Sequence, residues 1–245
     1  YNSGGKFPLT ILLSPDGKVM LLTRSAYYDK KIELSSAKTV NIQLFYALKS
    51  GAHWSELKPF PYNNKDYSYG HAVFANDGKT IYFVSDMPGS LGYTDIWETT
   101  FDGTSQFSQP KNLGQEVNTE GREMFPFVDD GDLLLFASDG HLGLGGLDIN
   151  MALVSGGSPT YIGNMGYPVN TNADDFGLVY DTKTLKGYFA SNREGGKGKD
   201  DIYAVKFKEP LLGLKVLKGK VIDEASKDPL PFANIKIVDE NGTLV

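Results

Sequence analysis

Three segments of the chain superimpose without a gap, and this repeat constrains the fold more than any other feature. Tyr82-Phe83-Val84-Ser85-Asp86 returns as Leu135-Phe136-Ala137-Ser138-Asp139 and again as Tyr188-Phe189-Ala190-Ser191-Asn192. In the same register lie Gly92, Gly145 and Gly198, then Asp95-Ile96, Asp148-Ile149 and Asp201-Ile202, each step being 53 residues (95 to 148 to 201). Asn112-Leu113-Gly114 and Val117-Asn118-Thr119 recur as Asn164-Met165-Gly166 and Val169-Asn170-Thr171, one residue short of that period. A fixed period over so many positions marks one supersecondary unit copied along the chain, each copy burying a face of its neighbour. A degenerate copy lies upstream. Ser14-Pro15-Asp16-Gly17-Lys18 matches Ala75-Asn76-Asp77-Gly78-Lys79, and Leu44-Phe45-Tyr46-Ala47 stands where Ile96-Trp97-Glu98-Thr99 stands. This copy lacks the Gly-x-x-Asp signature and carries extra residues between Ser25 and Lys38.

Each unit reads as short strands. In the second, residues 71–74 are apolar and Asn76-Asp77-Gly78-Lys79 is a hairpin turn, since Asp-Gly supplies the positive φ values that a tight turn of the right twist demands. Residues 80–85 and 95–100 are further strands, and 107–113, with Pro110 inside, fits only an edge strand. The 28 glycines, 14 phenylalanines and 14 tyrosines suit many strands joined by tight turns. Four strands in a repeat of this length, with no helical period, describe a β-propeller blade. The expectation is an all-β chain with at least four blades over residues 1–210 and more blades upstream. After Asp201-Ile202-Tyr203-Ala204-Val205-Lys206-Phe207 the last unit has no counterpart of the 107–113 edge strand. That strand is expected from upstream residues. The chain begins Tyr1-Asn2-Ser3 with neither Met nor a signal peptide and stops at Leu244-Val245 inside an apolar run, so it reads as a segment of a longer protein.

Residues 211–245 break the pattern. Lys218-Gly219-Lys220-Val221-Ile222-Asp223 is strand-like, Pro229-Leu230-Pro231-Phe232-Ala233-Asn234-Ile235 alternates, and Asp239-Glu240-Asn241-Gly242 is a turn. Two strands are too few for independent stability, so this is read as the truncated start of a second domain.

The totals exclude several functions. With 24 basic against 30 acidic residues the net charge is −6, which argues against binding nucleic-acid phosphates. Three histidines (His53, His71, His141) leave no multi-His metal site, and the absence of cysteine excludes disulfides, zinc knuckles and thiol catalysis. No apolar run approaches the roughly 20 residues of a membrane helix.

The turn at 77–79, the strand Thr80-Ile81-Tyr82-Phe83-Val84-Ser85 and the later Thr94-Asp95-Ile96-Trp97 resemble the Pro-Asp-Gly-Lys (WD-like) propeller repeats related to those of TolB. Asn76 replaces the usual Pro, and Asp181-Thr182-Lys183-Thr184 replaces the Asp-Gly turn in the last unit. Gly219-x-Val221, Pro229-Leu230, Ala233-Asn234-Ile235 and Gly242 resemble the opening of a carboxypeptidase-regulatory-like domain, a transthyretin-like sandwich. Propeller followed by that sandwich is similar to the large OmpA-family lipoproteins of bacteria with type IX secretion. The resemblance implies a periplasmic, outer-membrane-associated protein. It would work among protein partners of an envelope or secretion complex and reach peptidoglycan through a domain outside this chain.

Asp95, Asp148 and Asp201 are the most tempting chemical residues, because a carboxylate after a Gly-rich loop could bind a cation. A residue that recurs identically in every regular unit serves what the units share, so Asp95, Asp148, Asp201, Gly92, Gly145, Gly198, Ser85, Ser138 and Ser191 are read as structural. Asp129-Asp130-Gly131-Asp132 lacks the spaced oxygens and terminal Glu of a calcium loop and reads as a hairpin turn. The glycine runs 143–146 and 195–198 precede no helix that could supply a phosphate-binding dipole. Ser85 and His71 lack a Gly-x-Ser-x-Gly elbow. Catalytic, cofactor and metal sites are therefore not expected. Tyr27, Tyr28, Tyr62, Tyr67 and Tyr69 break the symmetry between units, and Tyr- and Asn-rich loops suit protein interfaces, with solvated decoration as the competing reading. The functional expectation is a non-enzymatic interaction scaffold. The alternative is a propeller that binds carbohydrate or peptidoglycan fragments, or a hydrolase.

Overall fold

A computed structural model describes residues 10–28, 31–154, 158–211, 223 and 226. The chain divides into two compact units, 1–211 and 212–245. The sandwich reading falls on the second unit, outside the described residues save Asp223 and Ser226. So do residues 1–9.

The first unit is all-β, with no helix among the described residues, and its sheets are four blades in a β-propeller arrangement. The first blade pairs Thr10–Leu13, Val19–Ser25, Ile42–Ser50 and Lys58–Pro59, with a short hairpin arm at His53–Trp54. The second runs Tyr69–Phe74, Thr80–Ser85, Asp95–Thr100 and Lys111–Asn112. The third runs Glu123–Val128, Leu133–Ser138, Asp148–Leu153 and Thr160–Asn164. Among the described residues the fourth has three strands, Asp175–Asp181, Lys186–Ser191 and Asp201–Lys206. Extra residues in the first unit form a separate ribbon, Tyr27–Tyr28 against Lys31–Ile32.

Two layers of apolar side chains hold successive blades together. Val19, Leu21, Leu44 and Tyr46 of the first blade meet Phe74, Ile81, Phe83 and Trp97 of the second. The opposite face of the second blade, with Val73, Tyr82, Val84 and Ile96, meets Val128, Leu134, Phe136 and Ala152 of the third. Alternation along each strand sends one set of residues forward and the other back, which is why the strands read as nearly continuous apolar runs. Among the described residues no further blade covers the forward face of the fourth. Ile96 and Ile149 are 0% exposed, whereas Ile202, at the same point of the repeat, is 80% exposed. Val179 and Tyr188 stand exposed beside it.

Opposite ends of the blades differ. At one end, hairpin turns of successive blades touch: Asn76 Nδ2 donates to the Asp129 carbonyl (2.7 Å), Thr182 Oγ1 to Asp130 (2.5 Å) and Tyr180 Oη to Asp129 (2.5 Å). Asp129 also accepts from the backbone N–H of Gly131 and Leu133 within that turn. The other end carries the Gly-rich loops, the linkers between blades and the first-blade ribbon.

Candidate functional site

The recurring carboxylates sit under the Gly-rich loops. Asp95 accepts from the N–H of Leu91 (2.7 Å) and Gly92 (3.1 Å) and from Asn112 Nδ2 (2.6 Å). Asp148 accepts from Leu144 and Gly145, and Asp201 from Lys197 (2.6 Å) and Gly198 (2.9 Å). Ser85, Ser138 and Ser191 lie directly opposite these aspartates on the neighbouring strand, and each hydroxyl accepts an N–H of the outgoing loop, from Met87, Gly140 and Arg193. Among the described residues no group of three His, Cys, Asp or Glu could hold a metal ion.

Two of the three repeated glycines are forced by the next blade. A Cβ on Gly92 would lie 2.3 Å from the Gly121 carbonyl oxygen, and one on Gly145 would lie 2.0 Å from that of Ala173. At Gly198 the closest atom would be the Asp200 carbonyl oxygen at 3.4 Å, and no following blade approaches.

Several working residues escaped the sequence reading. Asn118 clamps Ile96 by taking its N–H (2.8 Å) and giving to its carbonyl (2.9 Å), and Asn170 clamps Ile149 in the same way (2.8 and 2.8 Å). Asn63 clamps Leu44 (3.3 and 2.7 Å), so the Tyr62–Tyr69 run is the first linker between blades. Glu123 and Asp175 are buried carboxylates at the entry of their blades. Glu123 accepts from the Thr119 N–H (2.9 Å) and hydroxyl (2.6 Å) and from Ser138 Oγ (2.7 Å). Burial pushes its carboxyl up, against the pull of those three donors. Asp175 takes Thr171 N–H (2.6 Å) and hydroxyl (2.8 Å) and pairs with Arg193 at 2.5 Å.

Innermost strands of all four blades line a central cavity of about 250 Å³. Its wall is Thr10, Ile11 and Leu12, then His71 and Ala72, then residues 125–127 and 177–179, with no carboxylate among them. Three strands bulge here, between Gly70 and Val73, Met124 and Phe127, and Phe176 and Val179. Each bulge holds one residue at positive φ: His71 (50°), Phe125 (53°) and Gly177 (67°). The left-handed backbone turns the His71 ring edge-on to Phe125 (4.5 Å between centroids), and Phe125 stacks on Phe176 (5.0 Å). Burial lowers the His71 pKa from its ordinary 6.5. The unfolded chain then binds the proton more readily, so stability from this group is complete above pH 6.5 and is lost as pH falls toward the lowered folded value. His71→Gln is expected to lose less stability than the parent between neutral and acidic pH. Urea denaturation at both pH values measures this, and equal losses would refute it.

The loop end is apolar. Leu142 is 96% exposed, Tyr167 81% and Tyr93 69%, with Leu91, Leu144, Ile32, Leu34 and Val40 also exposed. Arg122 stacks on Tyr93 at 4.9 Å while pairing with Asp139 at 2.8 Å. The first-blade insertion is pinned to the linker: Ser36 N–H donates to Asp66 (2.5 Å), Asn41 to the Lys65 carbonyl (2.9 Å) and Gln43 to the Tyr67 carbonyl (2.8 Å). The Ser36 bond holds the Asp66 carboxyl below the usual range. Tyr27 and Tyr28 belong to the ribbon at this end. Tyr62 and Tyr67 pack half-buried against the core, and Tyr69 is inside that core rather than on a contact surface. Burial, and then Asp86, push the Tyr69 phenol up to about 12.

No protein-family profile and no curated protein sequence matches the chain. Solved structures do. Prolyl oligopeptidase B from Galerina marginata matches with TM-score 0.51 at 18% identity, over 82% of this chain and 26% of that one. A puromycin-hydrolyzing peptidase of Mycobacterium tuberculosis matches with TM-score 0.53 at 13% identity, over 83% and 27%. The chain thus spans about a quarter of the length of each. Likeness at this identity shows the propeller fold alone.

Proposed function

We propose that the chain is a non-enzymatic protein-interaction scaffold whose loop end carries the partner surface. The observation that supports this most is the collection of exposed large apolar side chains there, Leu91, Tyr93, Leu142, Leu144 and Tyr167. Apolar and aromatic side chains gathered on one side of a rigid frame suit protein association. The central cavity has no carboxylate in its lining, so it lacks the facing pair that glycoside cleavage needs. The buried carboxylates Asp95, Glu123, Asp129 and Asp175 are engaged with backbone N–H groups, hydroxyls, an amide or Arg193, and Asp148 is engaged through Oδ2, while its Oδ1 has no partner among the described residues. The resemblance to OmpA-family lipoproteins extends the proposal. The protein would be periplasmic and outer-membrane-associated, similar to PorE of the type IX secretion system, and would link that assembly to peptidoglycan through a domain outside this chain. The peptidase names of the structural neighbours describe those proteins.

A double variant, Leu142→Asp with Tyr167→Ser, tests the surface. It is expected to reduce crosslinked partner captured from the native envelope roughly tenfold with an unchanged melting temperature. Capture equal to the parent's would remove the loop end from consideration.

A further inference from the structure

Charge is distributed unevenly over the loop end. The linker 114–122 runs between the Gly-rich loops of the second and third blades. The Tyr93 N–H donates to the Gly121 carbonyl (2.8 Å), the Arg122 N–H donates to Asp139 (2.5 Å), and a His141 ring nitrogen bonds the Val117 carbonyl (2.9 Å). Segments 86–95, 114–122 and 139–148 thus form one surface, and they carry six carboxylates against a single arginine. Their net charge is −5, out of −6 for the whole chain. Glu116 and Glu120 are exposed and form no ion pair among the described residues. Leu91 and Tyr93 stand exposed on one side of this linker, Leu142 and Leu144 on the other. Beneath the latter, Asp148 is 1% exposed and its Oδ1 has no partner among the described residues, whereas Asp95 at the same point of the second blade engages both oxygens. None of this excess belongs to the repeat. The fourth-blade loop 192–201 balances three acidic residues with three basic ones, and Lys197 stands where Leu144 does. A feature confined to one sector of a repeated frame serves something other than the frame. Both blades also have neighbours on each side within the chain, so this surface is not an open end of the ring.

We propose that this surface binds a segment of another protein in which apolar side chains are interleaved with lysine or arginine. Leu91, Tyr93, Leu142 and Leu144 supply the apolar contact, and Glu116 and Glu120 between them meet the cations. A field of one sign concentrates basic segments near the surface and turns acidic ones away, so charge selects among apolar partners. The unpartnered oxygen of Asp148 strengthens that field, because no donor offsets it in a low-dielectric interior. Nucleic acid and anionic lipid are repelled by the same charge. This rests on the loop-end reading above and gives that reading one partner chemistry.

The test uses the full 245-residue chain and a labelled synthetic peptide alternating lysine with leucine, followed by fluorescence anisotropy, with a peptide of glutamate and leucine as its counterpart. Saturable binding of the lysine peptide is expected, and none of the glutamate peptide. Glu116→Lys with Glu120→Lys in the chain is expected to weaken binding roughly tenfold. Glu194→Lys, in the neutral loop of the fourth blade, is expected to change it less than about twofold. Raising the salt from about 0.05 M to about 0.5 M should weaken the parent's binding and narrow its lead over the double variant. If the double variant melts lower, the salt series and the two peptides report on the same contact with the chain unaltered. No saturation up to about 1 mM, equal affinity for the two peptides, or affinity indifferent to salt would overturn the proposal. So would self-association of the chain that the lysine peptide does not reverse, because the surface would then serve a second copy. If the lysine peptide fails while the Leu142→Asp, Tyr167→Ser variant still loses its partner, the basic chemistry falls and the loop-end reading stands.

Discussion

Gly145→Ala is expected to destabilise the chain by about 3 kcal/mol, while Gly198→Ala stays within about 0.5 kcal/mol of the parent. The two glycines occupy the same point of the repeat, and what lies beyond them differs. The new methyl at 145 would sit 2.0 Å from the Ala173 carbonyl oxygen and 2.7 Å from that of Thr171. Both obstacles are backbone at the entry of the fourth blade, so no rotamer change relieves the clash and the two blades must separate. At 198 the closest atom is 3.4 Å away, a contact that a slight local shift accommodates. For a unit of this size about 3 kcal/mol corresponds to a fall in Tm of roughly 6–12 °C. Parallel thermal melts followed by circular dichroism decide the matter. Equal shifts at the two positions would mean that the Gly-rich loop of the third blade is not held by the following blade.

Arg193→Met is the second large effect, with an expected loss of about 3 kcal/mol. The guanidinium reaches Asp175 (2.5 Å), the carbonyls of Val169 (2.6 Å) and Pro168 (3.1 Å), and Ser191 Oγ (2.9 Å). It lies over the Phe189 and Tyr203 rings at 4.9 and 4.8 Å. One side chain thus fixes the fourth blade to the linker that enters it. Asp175 is fully buried, so removing the arginine leaves a carboxylate in the interior with only Thr171 as donor. Asp175→Asn in the Arg193→Met background is expected to recover part of the loss, because the uncompensated charge disappears. Arg122→Met, which breaks an exposed pair with Asp139, should cost less than about 1 kcal/mol. Urea denaturation of the four proteins measures the series. No recovery in the double variant would place the arginine's contribution in its ring and carbonyl contacts instead.

Blade architecture was legible because a repeat makes the same statement several times. Asp77-Gly78 announced a hairpin, and the strands on both sides of it followed from their apolar runs. The missing counterpart of residues 107–113 raised the expectation of a strand from upstream, and among the described residues the fourth blade shows three strands. Asn118 and Asn170 recur in register without announcing that they clamp a neighbouring strand, and the other residues that escaped are ones whose role repeats while their identity does not. Tyr69, Glu123 and Asp175 all stand opposite the conserved-register serines, yet they share no chemistry, so no pattern flagged two of them as buried carboxylates. The bulge position is His71, Phe125 and Gly177 in successive blades, and only a glycine suggests positive φ from sequence. Asn63 was hidden by the degenerate first unit, and its tyrosine neighbours drew the eye toward an interface. Tyr69 shows why composition misled there. Propeller cores use aromatics freely, and a Tyr-rich linker between blades buries rings that a loop would display.

The central claim is that the loop end binds protein. Its most direct measurement places a photocrosslinking amino acid at Leu142 in the full protein in its native cells, with Thr182 at the opposite end as control. The account predicts a discrete protein adduct from position 142 and none from 182. Adducts of equal yield from both positions, or none from 142, would contradict it.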